Sequence, residues 1–221
     1  MVFNDVHVAL DGDREVFEGD IDLTPPPANG KLYGLVTRQG YGVWPNGVIS
    51  AVVDRSIDPL VTAAINHWME STPLRFIRGV GTGDYLSFQV TGRCFSTIGR
   101  RGGRQLVELS RDCTVGAVVH EIGHAVGLWH EHSRYDRDNY VTIIRGNIDP
   151  NEVYNFGLHD ESAVNAGPYD LHSVMHYPSD AYSANRLPTI VMKSGDLLPP
   201  RQGLSPGDLF AVRTLYPQLN W

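Results

Sequence analysis

His120-Glu121-Ile122-Gly123-His124-Ala125-Val126-Gly127-Leu128-Trp129-His130 reads H-E-x-x-H-x-x-G-x-x-H. On a helix, His120 and His124 project from one face, one turn above the other. Two imidazoles so placed can grip a single metal ion. Glu121 lies beside the first, where its carboxylate can hold a water on that ion. Gly127 has no Cβ and permits the positive φ of a sharp turn. That turn brings His130 back as a third ligand. Three nitrogen ligands leave one tetrahedral vertex open, the arrangement of a catalytic rather than a structural zinc. An H-x-x-x-H pair alone recurs on many helices that bind nothing. Glu121, Gly127 and His130 at fixed offsets make coincidence a poor account of this one.

The stretch continues Glu131-His132-Ser133-Arg134-Tyr135-Asp136-Arg137-Asp138-Asn139-Tyr140-Val141, and Ser173-Val174-Met175-His176-Tyr177 follows further on. Together they resemble the signature and the Met-turn of the astacins, one branch of the metzincin metalloendopeptidases. The likeness runs from about Trp44 to Tyr216. It implies an α+β zincin-type catalytic domain, with two lobes flanking an active-site cleft. The N-terminal lobe would hold a mixed sheet and two long helices, and the C-terminal lobe would be mostly irregular with a final helix.

The resemblance also implies roles. One catalytic Zn2+ would sit on His120, His124 and His130, with Glu121 as general base. Tyr177 would be an extra ligand or an oxyanion donor, and Met175 a hydrophobic floor under the ion. Glu131 would be the acidic partner of a mature N-terminal amine, or else a solvated surface glutamate. His176 is read as structural because the three-imidazole set is already complete, and His7, His67, His132, His159 and His172 are read the same way. Cys94 and Cys113 could be free core thiols, but the resemblance implies one disulfide between them. Arg201, in Pro200-Arg201-Gln202-Gly203-Leu204-Ser205, is either part of a pocket preferring acidic side chains after the cut or a structural arginine.

The 221-residue length fits one domain, and 42% hydrophobic content is enough for a real core. A net charge of −7 with no basic run argues against a nucleic-acid partner. No window approaches the ~20 apolar residues of a membrane span. The opening Met1-Val2-Phe3-Asn4-Asp5 lacks the basic and apolar regions of a signal peptide. The expected location is nonetheless secreted or periplasmic, from the resemblance and the cysteine pair.

Residues 1–38 read differently from the rest, as an acidic, loop-like stretch containing Thr24-Pro25-Pro26-Pro27. Phe17-Glu18-Gly19-Asp20-Ile21 within it resembles the F-x-G-D motif of astacin propeptides. In those zymogens the aspartate occupies the open zinc position, and a carboxylate oxygen is a competent zinc ligand. This implies a bacterial-type zymogen, with residues 1–34 as inhibitory propeptide and 35–221 as catalytic domain. The cut would fall within 34–38, and Asp20 would be a metal ligand of the zymogen only. Implied partners are protein or peptide substrates and an activating protease. Two other readings are a matrixin-type enzyme and a catalytically inactive metzincin-fold binding module; the segment after His130 speaks against the first and the intact Glu121 against the second.

Along the chain, Val43 to Val53 reads as a strand interrupted at Pro45-Asn46-Gly47. Asp58-Pro59 opens a helix as cap and first position, with Val61, Ala64, Ile65 and Trp68 as its apolar stripe. Residues 76–77, 85–90 and 105–109 read as strands, and Thr114 to Gly127 as the metal helix. Ser205-Pro206-Gly207-Asp208 starts a last helix with Ser205 as its cap, and Leu209, Val212, Leu215 and Tyr216 are expected inside. Asp136-Arg137-Asp138 and Asp11-x-Asp13-x-Glu15 do not fit a calcium loop.

Overall fold

The computed structural model describes residues 9–11, 14–22, 42–79, 81–158, 165–201 and 203–221. A mixed sheet dominates the first half. Its strands are β1 (Ala9–Asp11), β2 (Arg14–Phe17), β3 (Ile21–Asp22), β4 (Val48–Val53), β5 (Arg75–Arg78), β6 (Tyr85–Val90), β7 (Phe95–Thr97) and β8 (Arg104–Leu109). They lie in the order β1-β2-β3-β7-β8-β6-β4-β5. The pairs β4–β5, β4–β6 and β6–β8 are parallel, and β7 runs antiparallel to β8. Parallel pairs need crossover connections, and α1 (Asp58–Ser71) supplies the one between β4 and β5.

Two helices carry the core. Val61, Ala64, Ile65 and Trp68 of α1 are buried, as their 3.6-residue spacing predicts. The helix starts one residue earlier than the sequence suggests. Asp58 is already helical, Pro59 stands second, and Ile57 holds the cap position without a side-chain bond. The capping acid is instead Asp54, whose carboxylate takes the Ser56 N–H of a preceding 3-10 turn. The second helix, α2 (Val115–Val126), is capped by Thr114 and is buried from Val118 onward.

The amino-terminal stretch departs from its loop-like reading. β3 pairs in parallel with β7, so β1, β2 and β3 extend the sheet past its own edge strand. Ile21 is fully buried in the main core cluster. Strands of two to four residues are too short to show alternation in a sequence, and here pairing with β7 fixes the conformation. The 34–38 stretch expected to be cut, and His7 and His159, lie outside the described residues.

Past α2 the chain turns irregular and forms a smaller lobe. It holds a two-stranded sheet of β9 (Val141–Ile143) and β10 (Ile190–Met192). Its separate core contains Val141, Ile148, Phe156, Tyr169, Tyr177 and Ile190. The last helix, α3 (Pro206–Leu215), returns to the main core through Val212 and Leu215. Leu209 is only partly buried, whereas Asp208 is buried. Tyr216 is fully buried just beyond the helix end. This is the α+β, two-lobed arrangement expected from the resemblance. Cys94 and Cys113 form a disulfide that staples the β7–β8 hairpin to the start of α2. A loop closed over 19 residues stabilises the fold by about 3 kcal/mol in the chain-entropy account.

Candidate metal centre

Three aromatic donors hold α2 by its backbone. Trp68 Nε1 donates to Val119 O at 3.0 Å, Trp44 Nε1 to Ala125 O at 2.8 Å, and Tyr216 Oη to Val126 O at 2.9 Å. Inside the motif, Gly123 leaves room for Met175. A Cβ there would lie 2.5 Å from the Met175 sulfur, so the glycine between the two histidines is a packing requirement. Gly127 takes a φ of 120° and donates to both Gly123 O and His124 O. The turn therefore ends the helix and carries His130 back over it.

The three imidazoles converge. His120 Nε2 lies 3.0 Å from His124 Nε2 and 3.1 Å from His130 Nε2. Each ring is fixed from behind through Nδ1. The partners are Val174 O at 2.8 Å, Leu128 O at 2.8 Å and a Glu18 carboxylate oxygen at 2.6 Å, for His120, His124 and His130 in turn. Carbonyls and ionised carboxylates only accept, so every Nδ1 carries a proton, and in the neutral rings that bind a metal every Nε2 presents a lone pair. Three lone pairs aimed at one point repel one another unless a cation lies among them.

Asp20 covers the remaining side. Its Oδ2 is 3.5 Å from His120 Nε2 and 3.3 Å from His130 Nε2, and its Oδ1 is 4.0 Å from His124 Nε2. One ligand atom from each of Asp20, His120, His124 and His130 falls within 4.8 Å of the others, so the four could hold one metal ion. The electrostatics point the same way. Burial alone would raise the Asp20 pKa, but the facing His130 and His120 more than reverse this and hold it far below the usual range. Burial also opposes charge on His130, yet Asp20 and Glu18 outweigh it and lift its pKa to about 9. This cluster of carboxylates and imidazoles calls for positive charge at its centre, and a divalent cation answers that demand better than a proton. The residues present fit zinc.

The other expected site residues lie around this cluster. Glu121 is buried and its Oε2 has no hydrogen-bond partner. Burial, with Asp20 nearby, pushes its pKa well above the usual carboxylate value. Met175 is buried against Gly123, on the side of the motif helix. The Tyr177 ring lies 4.6 Å from that of His130, and its hydroxyl donates to the Glu18 carbonyl oxygen. His132 stacks on Tyr177 at 3.8 Å. His176 faces Tyr169, whose hydroxyl lies 2.6 Å from its Nε2. Burial lowers the His176 pKa to about 4.

Glu131 is not a solvated surface group. It takes the Asp170 N–H at 2.7 Å and Arg134 Nη1 at 3.1 Å, and burial raises its pKa to about 7 against the pull of Arg134. It lines a cavity of about 80 Å³ together with Asn165, Asp170 and Ala211. Arg201 is exposed, and its Nη1 donates to Val174 O at 3.3 Å and His176 O at 3.0 Å.

Sequence reading missed three positions. Glu18 passes there as the variable residue of a tetrapeptide, yet it is fully buried behind His130. Ser133 donates to the same carboxylate. Asp208 closes a capping box with Ser205 and also accepts from Ser173 Oγ at 2.6 Å and Val174 N at 2.9 Å. The S-x-x-D spacing signals the box, but nothing local signals the tie to the turn that holds Met175.

A family model described as Astacin, a peptidase family, matches residues 36–217. The chain belongs to the astacin family. Among curated relatives of this astacin chain, human Tolloid-like protein 1 is 37% identical over 189 residues, which is 79% of this chain and 19% of that protein. Zinc metalloproteinase nas-7 of Caenorhabditis elegans is 38% identical over 185 residues, 80% of this chain and 47% of that protein. The chain thus spans from about a fifth to about a half of the relatives it matches. Among solved structures, the astacin fold here superposes on high choriolytic enzyme 1, a hatching enzyme zinc-protease of the medaka Oryzias latipes. The TM-score is 0.72 at 33% identity, covering 80% of this chain and 94% of that one. Myroilysin, at 22% identity and a TM-score of 0.55, shares the fold.

Proposed function

We propose that this astacin is a zinc-dependent endopeptidase made as a latent precursor, with Asp20 blocking the metal. The supporting observation is the convergence of three imidazole Nε2 atoms, with the Asp20 carboxylate lying across the side they leave open. Residues 1–34 would be the inhibitory segment and 35–221 the catalytic domain. The pairing of β3 with β7 supports this, since it covers an edge where an extended peptide could otherwise add a strand.

A zinc ion held by the imidazoles supplies Lewis acidity, which acidifies water and polarises a carbonyl. Glu121 takes the proton of the attacking water and returns it to the leaving amine; its unpartnered Oε2 and raised proton affinity suit both halves of that task. The Tyr177 hydroxyl, released from the Glu18 carbonyl when the segment leaves, donates to the developing oxyanion. Glu131, in its cavity, receives the new N-terminal ammonium. Substrates are proteins or peptides, and an activating protease makes the cut. Arg201 belongs to the framework of the site through its two carbonyl contacts. The disulfide supports an oxidising compartment, secreted or periplasmic, and no helix among the described residues is long and apolar enough to cross a membrane.

Limited trypsin treatment followed by casein digestion, with and without a chelator, tests the reading. The expected result is activity that appears after the cut and vanishes with the metal. In the uncut chain Asp20→Ala should already digest casein. A cut, zinc-loaded chain without activity overturns the enzyme, and a silent Asp20→Ala variant overturns the blocking role of Asp20.

A further inference from the structure

Glu18 takes no part in covering the metal position, yet it is fully buried. Residue 18 reaches that place with a φ of 52°, in the left-handed region that side chains disfavour, and Gly19 follows at 76°. One carboxylate oxygen lies 2.6 Å from His130 Nδ1, the other accepts from the Ser133 hydroxyl, and the backbone carbonyl accepts from Tyr177. The three histidines are therefore not fixed alike. His120 and His124 are oriented by the catalytic domain's own carbonyls, at Val174 and Leu128. His130 is oriented by a side chain from the amino-terminal segment, 112 positions away.

We infer that the amino-terminal segment has a second task, which is to hold the metal in the site, and that Glu18 performs it as a positioning residue for His130. The inference rests on the latent-precursor reading. An ionised carboxylate on Nδ1–H fixes the ring and its tautomer. It also makes Nε2 a stronger donor, which a neutral carbonyl does less well. Asp20 adds a fourth ligand atom in front while Glu18 acts from behind, so a single turn, Glu18-Gly19-Asp20, grips one ligand set from two sides. Linkage makes the effect reciprocal. Whatever factor the segment adds to zinc affinity, zinc adds to the hold of the segment on the domain. The precursor is then the form in which the ion is loaded and kept, and removal of the segment leaves His130 and Ser133 without their charged acceptor.

Zinc release into an excess of a colorimetric chelator measures this directly, on the intact chain and its variants. Glu18→Ala should release zinc about 10- to 100-fold faster than the parent, the usual cost of losing such a partner. Glu18→Gln should fall between, because its amide oxygen still accepts from Nδ1–H; it carries the test if the alanine variant fails to fold. In the cobalt(II)-loaded chain, Glu18→Ala should shift the visible absorption bands, and it should do so also in an Asp20→Ala background, where a mere loosening of the segment has no ligand left to remove. Parent chain freed of its segment should release zinc at least as fast as Glu18→Ala. If Asp20→Ala hastens release while both Glu18 variants match the parent, the blocking role of Asp20 stands and the inference about Glu18 falls. Unchanged cobalt bands in Glu18→Ala also overturn it.

Discussion

Removing the Asp208 carboxylate should destabilise this protein through the hydrogen bonds it accepts at the start of α3. One oxygen of Asp208 takes Ser173 Oγ at 2.6 Å, and the other takes Val174 N and Ser205 N, both at 2.9 Å. Asp208→Ala leaves those two backbone N–H groups without an acceptor in a buried setting. Ser173 can turn its hydroxyl elsewhere. Each stranded buried donor costs about 1–3 kcal/mol, and the one at Ser205 is the Asp208 half of the capping box. The sum is about 2–6 kcal/mol, or roughly 4–24 °C in melting temperature for a chain of this size.

The negative charge is not the valuable part of Asp208. Burial raises its pKa and the hydrogen bonds only partly restore it, so the site wants an acceptor more than an anion. Asp208→Asn can keep its oxygen on the two N–H groups and turn its amide toward Ser173 Oγ, which can accept. That variant should lose only about 1 kcal/mol, mostly the charge at the helix N-terminus. Urea unfolding of parent and both variants, with the disulfide intact, gives the comparison. An alanine variant within about 1 kcal/mol of the parent, or an asparagine variant as unstable as the alanine, would refute the hydrogen-bond account.

Gly123→Ala gains about 1 kcal/mol of helix propensity but drives a Cβ to 2.5 Å from the Met175 sulfur. A net loss of about 1–2 kcal/mol is expected, and a double-mutant cycle with Met175→Ala should show coupling of at least about 1 kcal/mol. Glu121→Gln should keep zinc content and melting temperature close to the parent while lowering peptidase turnover about 100-fold or more; normal turnover would remove Glu121 from the chemistry. Gly19→Ala combines a φ of 76° with a Cβ 2.1 Å from the Tyr182 hydroxyl oxygen. It should loosen the segment and give measurable cleavage of a fluorogenic peptide before any activating cut, and a fully latent variant would show that the Glu18-Gly19-Asp20 turn tolerates a side chain.

What the sequence made legible at this site is what the chain arranges within a turn or two of itself. His120, Glu121 and His124 are brought together by helical periodicity, and Gly127 returns His130 through one bend, so spacing alone reveals the metal cluster. Thr114 and Ser205 announce their helices for the same reason. Of the groups that orient the ligands, Leu128 lies four positions past His124, but the other two obey no such spacing. Val174 reaches His120 across 54 positions, and Glu18 reaches His130 across 112. Trp44 N meets Tyr216 Oη across 172. A carboxylate behind an imidazole is a geometric relation between two segments, and either partner alone reads as an ordinary polar residue. Family resemblance carried the reading further, to Asp20, Tyr177 and the cysteine pair, because such motifs summarise long-range contacts already made in relatives. It stopped at the variable position of F-x-G-D, since a motif records which residues recur and Glu18 is the one that need not. The strands of the amino-terminal segment were hidden by a related cause: their hydrogen bonds are completed by β7, which lies far along the chain, and nothing in two to four residues announces that edge.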